Sequence, residues 1–450
     1  MKASTIRGRG RMARVSEAIE SRLWPLPVAA IAVAVIVGIV LPRLDVQVDS
    51  ALPVGVDSTV FNGGAETARS VLSSIAGSLI TATSLTFSLT VVALQLASSQ
   101  ASPRVLRLFS RDRQVHATLA MFLGTFAYAI TVLRSIRDST DESPEFVPRI
   151  AVTAGFVLTL ISVVMLVFFL AHLAAQLRVE TIMKEIHAET DRTIDLVGDG
   201  YAAMTRYAGS IDPPSSRHVV SATSSGFITM CNRSRLVDVA RARGIVVQET
   251  KRVGESIVAG TPQAYWWVSG AAPNELSPRD IESDIREAYG IGYERTAAQD
   301  VDYGVQQILD IGVRALSAGI NDPTTAVNAL GHLSALLSRA VALPALPHGL
   351  ADRDGELRVV TISRTVEQLI HDSLSPMRHY GSSDPAVVSR FLQLVSDLAL
   401  TNPHAAVLDA LVEQLAALES QLKTIVDDPW ENARLLAEVR DLATRLGARL

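Results

Sequence analysis

The sequence predicts an α-helical integral membrane protein with four transmembrane helices. A cytoplasmic region follows, with a small β-rich subdomain and an α-helical bundle. Three observations carry this. Apolar residues make up 48% of the 450 positions, and their excess lies before Gln176. Four stretches there reach the roughly 20 mainly apolar residues that a bilayer crossing needs. Lys and Arg crowd alternate connecting segments, as they do in a chain whose loops lie on opposite sides of a membrane.

The expected spans are 24–41, 71–96, 117–133 and 150–175. The first, "WPLPVAAIAVAVIVGIVL", is long for a signal peptide, and the "LPRLD" after it lacks small residues at a cleavage position. It reads as a retained span. Residues 1–23 form a basic tail carrying Lys2, Arg7, Arg9, Arg11, Arg14 and Arg22. The segment after the second span holds Arg104, Arg107, Arg111 and Arg113. The segment after the first has only Arg43 and Arg69, and is acidic at Asp45, Asp49 and Asp57. The third mixes both signs. Counting basic residues puts both termini in the cytoplasm, in a cell (inner) membrane.

The second span is unusual. At 100° per residue, Ser70, Ser74, Gly77, Ser78, Thr81, Ser84, Ser88, Gln95 and Ser99 fall on one face, while Thr83, Thr86 and Thr90 form a shorter stripe roughly opposite. Two readings stay open. Small residues and hydroxyls let helices pack closely. Alternatively, one such stripe per subunit lines a watery path in a homo-oligomer, with the threonines packing on a neighbour. Spans two to four contain no Asp, Glu, Lys or Arg, which argues against a carboxylate-based coupling site. Only Tyr128 and His172 could ionise there. The segment "SPRVLRLFSRDRQVH" reads as a basic elbow at the inner leaflet, where its arginines are candidates for lipid head-group contact or gating.

Past the fourth span, residues 177–215 read as a helical connector running on from the membrane without a break. Pro213 and Pro214 end it. Residues 216–270 read as β-rich around one short helix, "NRSRLVDVARARG", with Asn232 as N-cap and Gly244 after its end. "GESIVAGTP" reads as turn, strand and turn. Residues 271–450 follow the helical period, with helices expected at 278–289, 296–317, 323–343, 360–379, 384–401, 403–425 and 429–449. "LPALPHGLADRDGE" reads as a loop. In "SAGINDPTTA", Gly319 is expected to end one helix in the left-handed conformation, with Asp322 capping the next and Pro323 at its first position. Arg295, Gln299, Asp300, Arg314, Asn321 and Asp322 are expected to gather as a polar network or a ligand site. In "HAETD", His187, Glu189 and Asp191 read as a solvated helix surface.

Several classes are excluded. A net charge of −5 and a pI near 6.0 give no footprint for nucleic acid. Cys231 is the only cysteine, so there is no intrachain disulfide, and no spacing suggests a metal site or a bound cofactor. Walker, HExxH and GxSxG motifs are missing, and no catalytic residue or enzyme is expected.

The strings "SLTFSLTVVALQLASSQASPRVLRLFSRDR", "FLGTFAYAITVLRSIR", "FVPRIAV" and "QQILDIGVRALSAGINDPTTAVNAL" together resemble the bacterial predicted membrane protein family known as domain of unknown function 2254. "RVGESIVAGTPQAYWWV" matches less closely, with Gln263 where the family tends to have leucine. The resemblance implies several spans and a large cytoplasmic region, and brings no catalytic residue. The residues themselves favour a homo-oligomeric ion channel with a cytoplasmic regulatory region, whose partners are the lipid bilayer, further copies and a candidate ion or small ligand. The alternative is a non-conducting scaffold or sensor that binds a partner or ligand through the Arg295–Asp322 region.

Overall fold

The computed structural model describes residues 24–48, 61–100, 112–138, 145–269, 277–424 and 428–447. The basic tail and Arg104, Arg107 and Arg111 lie outside the described residues. The chain divides into two compact units, Met1–Thr181 and Ile182–Leu450.

The first unit holds four helices, α1 (Pro25–Val48), α2 (Ala65–Gln100), α3 (Arg113–Leu133) and α4 (Arg149–Gln176), all long and apolar enough to cross a membrane. They run up and down. Asp45 of α1 accepts from Ile150 N (2.9 Å) and Ala151 N (3.1 Å) and so caps the start of α4. Glu145 likewise accepts from Ala65 N at the start of α2 (2.6 Å). Each carboxylate satisfies orphan N–H groups at a positive helix end. These acidic residues, which read as charges of the loops, are therefore helix caps. Helix α3 packs against the other three, and Leu72, Ile75 and Leu79 of α2 meet Phe122, Tyr128 and Val132 of α3 in the core. Close approach is made at Gly124, whose added Cβ would lie 3.6 Å from Ala30, and at Gly155, against Leu72 and Tyr128. Most buried or half-buried hydroxyls return to the carbonyl four residues back, as Thr83, Thr90 and Thr159 do. Nothing polar is left for lipid to satisfy at those positions.

Two expectations change here. Helix α2 has 36 residues. That is well beyond the roughly 20 that cross a hydrocarbon core, so it is long enough to extend past the core at both ends. Helix α4 does not continue unbroken: it stops at Gln176, and α5 (Val179–Ala202) starts afresh after Leu177 and Arg178. The break falls where a mainly apolar helix gives way to an amphipathic one. No proline or glycine marks it.

The second unit contains most of α5, eight further helices and eight strands among its described residues. Strands β1 (His218–Ser221), β5 (Pro262–Val268), β3 (Ile245–Glu249), β8 (Leu357–Val360) and β7 (Gly349–Ala351) form a five-stranded sheet in that order. Only β3 and β8 pair parallel. Strands β4 (Ser256–Ile257), β2 (Gly226–Cys231) and β6 (Tyr289–Gly292) make a smaller antiparallel sheet. Helix α6 (Arg233–Arg243) has Asn232 as N-cap and ends on Gly244 at φ +63. Gly254 and Gly260, at φ +90 and +85, make the turns on either side of β4. Ile228, Leu236, Val247, Trp266, Ile281 and Val359 share one buried core.

The sheets therefore reach beyond 216–270. The expected loop at 343–356 holds β7, and the expected helix at 360–379 begins only at Val366 because its first residues complete the β7–β8 hairpin. The helix expected at 278–289 ends at Arg286, and residues 289–292 form β6. The remaining helices are α7 (Pro278–Arg286), α8 (Val301–Ala315), α9 (Pro323–Val341), α10 (Val366–Gly381), α11 (Pro385–Thr401), α12 (Ala405–Leu422) and α13 (Pro429–Arg445). An Asp–Pro pair starts three of them. Asp322, Asp384 and Asp428 each accept a hydrogen bond from an N–H of the first turn, with proline in the first helical position.

Candidate functional site

Two regions concentrate polar chemistry, one in each unit. In the first unit the two stripes of α2 separate cleanly. Thr86 and Thr90 are buried against the neighbouring helices of the same chain, and Thr83 is half-buried. The threonines thus pack within the protomer. Ser70, Ser74, Ser78, Thr81, Ser84, Ser88 and Gln95 are all exposed on the opposite side. Ser78 and Thr81 bond back to the carbonyls of Ile75 and Gly77, which leaves their outer surface small. A Cβ added at Gly77 would meet nothing within 4 Å. No helix of this chain uses the small-residue face for close packing among the described residues.

The other outward faces differ. Helix α1 exposes Val33, Ile36, Ile39 and Val40, and α4 exposes Phe156, Leu160, Val164, Val167 and Phe168. These exposed residues are all apolar, the composition that suits a lipid-facing surface. The outward face of α2 mixes its hydroxyls and Gln95 with Leu85, Val92 and Leu96.

At the start of α3, Asp112 caps the helix through Gln114 N (2.9 Å) and meets His172 Nε2 of α4 at 2.5 Å. Arg113 beside it is exposed. The Asp112–His172 contact was missed in the sequence; the signal for it was an aspartate just before the helix, a capping position.

In the second unit the network expected at Arg295–Asp322 divides. Arg295 grips Asp300 through Nε (2.8 Å) and Nη2 (2.9 Å), and Asp300 caps α8 through Tyr303 N (3.1 Å). Burial raises the Asp300 carboxyl, and Arg295 opposes it. Gly254 must be glycine here: a Cβ would lie 2.3 Å from Asp300 Oδ2. Gln299 accepts from Cys231 N (2.9 Å). Arg314, Asn321 and Asp322 sit at the far end of α8, several helical turns from Asp300. Asp322 caps α9 through Thr325, and Asn321, not Gly319, takes the left-handed conformation at φ +51. That corner is structural.

The richer cluster surrounds Arg295 and Asp300. Arg233 and Glu249 form a buried pair, Nε to Oε1 at 2.8 Å and Nη2 to Oε2 at 3.1 Å. Glu249 also accepts from Ile362 N (3.2 Å) and Cys231 Sγ (3.3 Å). Burial, then the Glu249 carboxylate, pushes the Cys231 thiol well up, so it stays protonated and can donate. Arg252 is held by Glu255, and Arg364 by Asp302 (2.7 Å) and Asp372 (2.5 Å). Elsewhere His187 is not on a solvated surface. Its Nδ1 lies 3.0 Å from His332 Nδ1, and its Nε2 is 3.4 Å from Asp191, which also pairs with Arg339.

With four apolar helices, an outward hydroxyl face on the second and a polar C-terminal unit in place, the comparisons agree with the architecture. The chain belongs to the family described as predicted membrane protein, domain of unknown function 2254, whose model matches residues 20–397. It is similar to uncharacterized proteins of Mycobacterium bovis and Mycobacterium tuberculosis. Each is 32% identical over 391 residues, covering 86% of this chain and 74% of the relative. No solved structure matches it.

Proposed function

We propose that this chain is an inner-membrane protein with four spans and cytoplasmic termini, and that copies associate through the serine face of α2 around a water-filled ion path. The single observation that carries this reading is the contrast among outward faces. Those of α1 and α4 are apolar, whereas that of α2 presents Ser74, Ser78, Thr81, Ser84, Ser88 and Gln95. Lipid gains nothing from hydroxyls and an amide, whereas a neighbouring helix or water does. The chain spends its own close-packing glycines elsewhere, at Gly124 and Gly155. In this topology the N-terminal tail and the arginines at 104–113 lie inside, and the Asp45 and Glu145 caps lie outside. The second unit would be the regulatory region.

Reconstitution into planar bilayers tests the reading. Wild-type protein should pass ions, and Ser84→Leu and Ser88→Leu should reduce the current at equal incorporation. Folded protein that leaves bilayers silent would reject conduction.

A further inference from the structure

A cleft of about 220 Å³ opens in the second unit between the sheets and the helical bundle. Its lining includes the apolar Val197, Val341, Leu346, Ile362 and Leu369, and the polar Tyr201, Arg233, Arg252 and Arg364, with Asp300 and Asp302. An apolar body with a few convergent polar groups is the ordinary form of a small-molecule site.

Each arginine of this lining is ion-paired, yet its pairing leaves some of its donors unused. Both oxygens of Asp300 are taken by Arg295, and Asp302 is paired with Arg364. The carboxylates that hold Arg233 and Arg252 in place, Glu249 and Glu255, do not line this cleft. Each guanidinium has five N–H donors. Arg233 uses Nε and Nη2 on Glu249 and also bonds Tyr201, Arg252 uses Nε and Nη2 on Glu255, and Arg364 uses Nη1 on Asp302 and Nη2 on Asp372 and the Gln368 carbonyl. The Nη1 of Arg252 is buried and makes no hydrogen bond among the described residues. A buried donor without a partner costs stability, and a bound oxyanion would recover it. Three guanidiniums reach the cleft from separate segments, Arg233 and Arg252 held by carboxylates outside its lining and Arg364 by Asp302 within it and by Asp372 and the Gln368 carbonyl outside it; together they suit a group with three terminal oxygens better than a planar carboxylate.

We infer that this cleft binds a small soluble phosphate monoester, its phosphate against Arg233, Arg252 and Arg364 and its apolar body against Val341, Leu346 and Ile362. The inference concerns the second unit alone and stands whether or not the spans conduct. Titration calorimetry of the full chain in detergent with phenyl phosphate tests it. Wild type should bind, and Arg252→Gln should bind at least about tenfold more weakly, the loss expected for one charge-assisted hydrogen bond. Ala345→Trp, which fills the exposed rim of the cleft without touching the core, should abolish binding; Arg314→Gln, at the far end of α8, should not change it. Inorganic phosphate and phenol should each bind more weakly than phenyl phosphate. The proposal is overturned by no binding of phenyl phosphate at millimolar concentration, or by full affinity in Ala345→Trp. Phenol binding as tightly as phenyl phosphate would remove the phosphate from the assignment. Dihexanoyl phosphatidate outcompeting phenyl phosphate would replace the soluble monoester with a lipid headgroup.

Discussion

Glu249→Gln isolates the most buried charge pair in the second unit. The Glu249 side chain is 1% exposed and that of Arg233 is 9% exposed. The carboxylate accepts from Arg233 twice, from Ile362 N and from Cys231 Sγ. Glutamine keeps the shape but removes the charge, and it turns an NH2 toward groups that are themselves donors. Removing one partner of such a pair costs about 3–5 kcal/mol, because a guanidinium is left buried and uncompensated. Unfolding entropy is about 2.1 cal/mol/K per residue near 60 °C. For Ile182–Leu450 this amounts to about 0.57 kcal/mol/K. The melting temperature of this unit should therefore fall by roughly 5–9 °C. Trp266 and Trp267 lie on β5, directly paired with β3, so their fluorescence reports the transition locally. The double variant Arg233→Met with Glu249→Leu should recover most of the loss, since an apolar replacement of both partners leaves no buried charge. A shift in Glu249→Gln within about 1 °C, far below that expected from the lost pair, or a double variant as unstable as the sum of the singles, would refute the reasoning.

Three further outcomes follow from the packing. Gly304→Ala should destabilise the second unit by about 1–3 kcal/mol, because its Cβ would fall 1.9 Å from Thr190 Oγ1 on α5; Gly77→Ala, with nothing within 4 Å, should not destabilise the protomer, and chemical denaturation of both compares them. Burial, then the facing His187, lowers the pKa of His332, so the folded protein binds protons less readily than the unfolded chain. Stability should fall as pH drops through about 6.5, and His332→Gln should flatten that slope; Asp191 and Arg339 are the charged groups beside the pair. Cys231 should resist thiol reagents in the native protein and become reactive only on unfolding, measured by labelling rate against denaturant.

The parts of the fold set by local chemistry were readable in the sequence. The four apolar helices follow from length and hydropathy, and the caps at Asn232 and Asp322 follow from residue type next to a helical period. Strands β6, β7 and β8 were not readable. Each is short, and β8 is stabilised by parallel pairing with β3, more than a hundred residues away in sequence. The two-stripe pattern of α2 was visible as periodicity, yet periodicity is silent on which stripe faces the protomer core. Packing against α3 decided that, placing Thr86 and Thr90 inward. The Arg295–Asp322 segment was read as one cluster because its polar residues are close in sequence. A helix separates them in space, and the partners of Arg295 and Gln299 come from Asp300 and from the β-strand residue Cys231. The His187–His332 contact was hidden for the same reason: the partners are 145 residues apart.

The central claim is that the serine face of α2 meets another copy of itself. Oxidative cross-linking in native membranes tests it most directly, comparing Ser84→Cys on that face with Leu160→Cys on the apolar outer face of α4. The native Cys231 is buried and does not compete. The account predicts a covalent dimer with Ser84→Cys at protein densities where Leu160→Cys stays monomeric. Equal cross-linking at the two positions, or none at Ser84→Cys, would contradict it.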